Sequence, residues 1–173
     1  MPPSPTRPSS ANFAFLAVHD PLLDHLGALA ERYFAEDPST SLMKLRQFGE
    51  VLAQRAAANA GMYTSSAEQQ VELLARLRDA GLLAPNINDL FHGLRRSGNA
   101  AAHDIRGDHR EALHQLRMAR QLGLWFHRIF KDKTFEPGPF VPPPDPKAES
   151  AALAAELKRL RDELAAQQSK AEA

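Results

Sequence analysis

The chain has no cysteine, which excludes disulfides, thiolate metal sites and cysteine nucleophiles together. Aromatic residues make up only 7% of its 173 residues, with a single Trp. No platform for stacking unpaired bases is therefore legible. No apolar run approaches the roughly 20 residues that a membrane span needs, so no membrane partner is expected, and a cytoplasmic location follows as the expectation. Residues 1–11 are rich in Pro and Ser but lack the apolar centre of a signal peptide, so they read as a disordered leader. No Gly-rich phosphate loop, GxSxG or HExxH occurs, so no cofactor is expected within the chain. The net charge is zero. That balance conceals an uneven distribution: residues 91–133 carry nine basic side chains against four acidic ones. A basic block in a neutral chain points mildly to an anionic partner.

What the sequence does contain is helical punctuation. Asp20-Pro21 and Asp37-Pro38 each supply an N-cap followed by proline at the first helical position. After the first come Leu22, Leu26, Leu29 and Tyr33, with Leu23, Ala30 and Phe34 beside them, predicting a helix to about Glu36. After the second come Leu42, Leu45, Phe48, Leu52 and Ala56, ending at Gly61. Ser65 with Glu68, or Ser66 with Gln69, has capping-box spacing ahead of Val71, Leu74 and Leu77. Pro85 opens a fourth helix (Ile87, Leu90, Phe91, Leu94), predicted to end at Ser97-Gly98. The longest helix is expected from Asp108 to Lys131, with Ala112, Leu116, Ala119, Leu122, Phe126 and Ile129 inward. Nothing alternates at period two. The fold class is all-α, a bundle of about five helices over residues 12–133.

Six of the thirteen prolines fall between residues 137 and 146, so residues 134–147 read as a semi-rigid spacer. Residues 148–173 then carry Leu153, Leu157, Leu160 and Leu164 at a/d spacing, the start of a short coiled-coil helix open to self-association. The heptads stop without a cap, and the chain is expected to be a fragment of a longer protein.

Three features invite a chemical reading. The seven histidines (19, 25, 92, 103, 109, 114 and 127) lack metal-ligand spacing and are expected to be scattered over the surface. Within Leu94–Asp104, Gly98, Asn99 and His103 fit a packed structural corner, with Gly98 ending one helix and Asn99 capping the next turn. The same segment holds Arg96 and His103 with six residues between them, the spacing seen in HEPN-type helical ribonucleases. There a guanidinium holds the scissile phosphate while an imidazole moves a proton, without metal. Finally, Arg106, Arg110, His114, Arg117 and Arg128, with Arg120 and Lys131 beside them, repeat near one side of the last long helix. They fit either a solvated face or a contact with phosphate or an acidic surface.

Several runs resemble one family. They are Asn12-Phe13-Ala14-Phe15-Leu16, Leu42 to Glu50, and Phe91-His92-Gly93-Leu94-Arg95-Arg96-Ser97-Gly98-Asn99-Ala100-Ala101-Ala102-His103. Trp125-Phe126 and the exit through Phe140-Val141 continue the pattern. In order and spacing these resemble the N-terminal region of the R subunits of type I restriction-modification enzymes. The resemblance implies a HEPN-like, non-catalytic module for assembly or DNA contact. It would precede a nuclease and an ATP- and Mg-dependent motor on double-stranded DNA in phage defence. Methylase and specificity subunits would be its partners. The alternative it leaves open is a HEPN-like, metal-independent endoribonuclease using Arg96 and His103.

Overall fold

The computed structural model describes residues 10–62, 64–103, 108–144 and 146–172. The expected leader, apart from Ser10 and Ala11, lies outside them. So does Arg106.

Among the described residues the structure is helical, without strands. A 3₁₀ helix (Ala14–Val18) leads into α1 (Pro21–Tyr33), α2 (Pro38–Asn59), α3 (Gln70–Asp79), α4 (Pro85–His103), α5 (His109–Phe130) and α6 (Pro146–Glu172). The chain divides into two compact units, one ending at Pro142 and the other running from Pro143 to Ala173. The first is the bundle. The second is α6.

Both Asp-Pro signals work as read. Asp20 Oδ1 accepts the Leu22 amide at 2.9 Å, and Asp37 Oδ1 the Thr40 amide at 3.1 Å. Gly61 and Gly81 take φ of +73° and +77° just past α2 and α3, left-handed positions that glycine fills without Cβ strain. Helix α2 is the axis of the bundle and packs against α1, α3, α4 and α5. It can do so because it is buried over much of its circumference, by Leu42, Leu45, Phe48 and Leu52 with Gly49, Ala53, Ala56 and Ala57. Each large apolar side chain removed from water there contributes about 1.5–3 kcal/mol. Of its two buried serines, Ser39 and Ser41, Ser41 donates its hydroxyl to the Ala30 carbonyl at 2.7 Å.

Several local expectations are corrected. Helix α4 does not stop at Ser97-Gly98 but continues to His103. Gly98 is there for space rather than for a turn: a Cβ at 98 would fall inside van der Waals contact of Arg46 Cβ, and 3.0 Å from its Cγ. The capping box of α3 forms three residues beyond the later of the two expected pairs, between Gln69 and Glu72, while Glu68 is held by Arg76 at 2.8 and 2.9 Å. Leu22, Tyr33, Val71 and Ile129 point to solvent; Leu23, Leu73 and Phe130 take the inward side in their places. The short apolar run at the start is a working part of the core, with Phe13 and Leu16 fully buried and Phe13 edge-on to Phe48 at 5.3 Å.

Residues 134–142, read as spacer, fold back along the bundle. Asn12 and Val141 exchange two hydrogen bonds, Val141 N–H to Asn12 Oδ1 at 2.8 Å and Asn12 Nδ2 to the Val141 carbonyl at 2.7 Å. Phe140 packs against the core, and Phe135 lies 5.2 Å from Phe15 and 4.4 Å from His127. This strap belongs to the bundle.

Candidate functional site

On α4, residues 96 and 103 are seven apart, close to two full turns, so Arg96 and His103 share a face. Both are exposed, and among the described residues neither has a hydrogen-bond partner. Among the described residues His103 shows none of the contacts expected of a packed corner. The packed residue of the segment is Gly98; Asn99 beside it is exposed, and its Oδ1 accepts from Arg46 Nη1 at 3.1 Å. Ser97 turns the opposite way and donates to Glu111 Oε1 at 2.5 Å, and Gln115 Nε2 donates to the same oxygen at 2.9 Å. These two donors hold the Glu111 carboxyl below its usual range. They tie α4 to α5.

The basic face of α5 is largely engaged with the strap. Arg120 is only 8% exposed and donates from Nη2 to the Gly138 carbonyl at 2.5 Å. Arg128 donates from Nε to the Phe135 carbonyl at 3.2 Å. The guanidinium of Arg117 lies 5.1 Å from the Phe140 ring centroid, a cation–π distance. Arg110, beside the Asp108 N-cap, is exposed at the other end of the helix. The arginines that look alike in sequence thus divide. One is withdrawn from solvent, two are tethered over the strap, and Arg110 stays open to a phosphate or carboxylate.

The histidines are not all scattered over the surface. His19 Nε2 and His127 Nδ1 are 2.9 Å apart, with His127 buried and His19 edge-on to Phe126 at 4.8 Å. One ring must donate and the other accept, so the pair requires at least one neutral imidazole. Burial first lowers the pKa of both. His127 and then Lys131 add to the effect on His19; Lys131 does so on His127 against the opposing pull of Asp132. No group of three or more metal-ligating side chains gathers among the described residues. A second polar knot, not anticipated from the sequence, joins Ser10 Oγ and Asn12 Nδ2 to Glu31 Oε1, at 2.6 and 2.9 Å. Burial raises the Glu31 pKa despite those two donors. An open groove of about 340 Å³ between α4 and α5 is lined by Ile87, Leu90, Leu124, Trp125 and Ile129, with Arg128 at its edge.

The histidine pair and the polar knot both serve the strap, and nothing in either resembles a catalytic array. The family described as Domain of unknown function (DUF4145) matches residues 29–122, from α1 through most of α5. The chain belongs to the DUF4145 family. It is also similar to the Type I restriction enzyme EcoKI endonuclease subunit of Escherichia coli (strain K12), at 33% identity over 138 residues. That match covers 78% of this chain and 12% of the relative, so the chain spans about an eighth of that protein's length. Together the two matches support the resemblance to the N-terminal region of type I R subunits. No solved structure matches the chain. Among the described residues no helix of the DUF4145 domain is long and apolar enough to cross a membrane.

Proposed function

We propose that this DUF4145 domain is a non-catalytic seating module of a type I restriction R subunit, acting in cytoplasmic defence against foreign DNA. The supporting observation is the 33% identity to the EcoKI endonuclease subunit over 78% of the chain. On this reading, ATP- and Mg-dependent DNA translocation and cleavage belong to other parts of the parent protein. The bundle helps hold the R subunit against methylase and specificity subunits or along duplex DNA.

The division among the arginines narrows the contact surface. Arg120 is committed to Gly138 and serves the fold. Among the described residues Arg110 has no side-chain partner and can meet a phosphate, with Arg96 and Arg117 as further exposed arginines. A planar guanidinium grips phosphate or carboxylate in two places. With no groove-reading motif, contact with the backbone and not with bases is expected.

The test replaces Arg110 and Arg96 by Glu in the R subunit assembled with its partner subunits. Duplex binding is then followed across a salt series, together with co-purification of the partners. The expected result is weaker binding with a shallower salt dependence, by about one unit of slope per lost phosphate contact, or loss of a partner subunit. Binding, slope and assembly all equal to wild type would overturn the proposed surface.

A further inference from the structure

Helix α6 presents Leu153, Leu157, Leu160 and Leu164 to solvent, each 47–62% exposed. Spaced four, three and four apart, they form one continuous seam along a 27-residue helix. With Leu153 and Leu160 at d and Leu157 and Leu164 at a, Glu156 and Glu163 fall at g, and Ala154, Arg161 and Gln168 at e. Those flanks decide what covers the seam. In a parallel, in-register pair each g residue faces the next e residue of the other helix. Glu156 then meets Arg161 and Glu163 meets Gln168, twice over by symmetry, with no like charges opposed. In an antiparallel pair g faces g, and the glutamates repel. Among the described residues Arg161 makes no ion pair of its own, whereas Arg159, on the outer c position, is taken up by Glu156 and by Glu163 at 2.8 Å.

We propose that α6 pairs with α6 of a second copy of this chain as a parallel, in-register, two-stranded coiled coil. The inference is independent of the role in restriction. Four leucines make a weak seam, since short helices and short coils are marginal alone, so the pairing is concentration-dependent.

The test uses the 173-residue chain in sedimentation equilibrium over a wide concentration series. Mass should climb toward that of a dimer, and Leu157→Asp with Leu160→Asp should hold it at the monomer. Arg161→Glu should raise the dimer dissociation constant by at least about tenfold, because like charges then oppose across both flanks. Adding Glu156→Arg to Arg161→Glu should restore pairing. Because the chain lacks cysteine, geometry is read separately. Leu153→Cys alone and Leu164→Cys alone should each oxidise to a disulfide-linked dimer. A chain that stays monomeric and uncrosslinked overturns the proposal. So does an assembly larger than a dimer, one indifferent to the α6 substitutions, or crosslinking only when the two cysteine variants are mixed.

Discussion

Two glycines in one helix should respond to alanine with opposite signs. In α4 a Cβ at Gly93 would meet only the Gln115 side chain, at 3.7 Å and beyond, which is ordinary contact. There Gly93→Ala is a helix-propensity gain of about 0.5–1 kcal/mol. At Gly98 the obstacle is Arg46 Cβ, with Cγ at 3.0 Å and Cδ at 3.1 Å. A Cβ is fixed to its backbone and cannot swing aside, so α2 and α4 must separate. Overpacking of that kind costs about 1–3 kcal/mol. Set against the same propensity gain, Gly98→Ala should lose up to about 2.5 kcal/mol net. For a bundle of this size that is a Tm decrease of up to about 10 °C, against a rise for Gly93→Ala. Arg46→Ala should give no rescue, because it keeps the offending Cβ. Thermal and urea unfolding followed by circular dichroism measure both variants. A Gly98→Ala bundle as stable as the Gly93→Ala one would show that the two helices do not approach as closely as described.

Other perturbations test the strap and its histidines. Asn12→Ala removes both hydrogen bonds to Val141 and one donor to half-buried Glu31. It should cost about 1–3 kcal/mol and speed hydrogen exchange at the Val141 amide before that of α2. His19 and His127 have folded-state pKa values below the ordinary imidazole value, so the unfolded chain takes up protons first as pH falls. Their contribution is therefore intact above pH about 6.5 and is lost as pH drops through the folded values. His127→Gln should flatten the stability profile across that acid window, as read by urea midpoints, and an unchanged slope would remove the pair from the account. Glu31 has the opposite sign: its raised pKa makes ionisation at neutral pH a cost. Glu31→Gln, which keeps an acceptor for Ser10 and Asn12, should gain relative stability as pH rises from 4 to 7.

The helical class and most helix starts were legible because Asp-Pro caps and 3.6-residue spacing act within a few residues of one another. What escaped was long-range. Gly98 looks like a stop signal when only its neighbours in sequence are weighed; its actual constraint is Arg46, on another helix. The prolines of residues 137–144 lie outside any helix while Pro146 opens α6, but proline composition is silent on whether an extended segment lies free or lies on something. Phe135 and Phe140 were the available hint, since a free spacer has no use for buried rings. The arginines of α5 share one periodicity, and periodicity cannot tell a cation facing solvent from one capping a carbonyl of its own chain. The pairing of His19 with His127 spans more than a hundred residues and left no local mark.

The two hydrogen bonds between Asn12 and Val141 have a mechanical meaning. They join Asn12 to Val141, residues near the two ends of the bundle unit, at one point. Tension applied between those two ends would load this clasp before any helix. Residues 134–142 would then peel from α5 one anchor at a time, Val141 first, then Phe140 from Arg117, then Gly138 from Arg120. The chain would lengthen at low force while the helical core stayed folded.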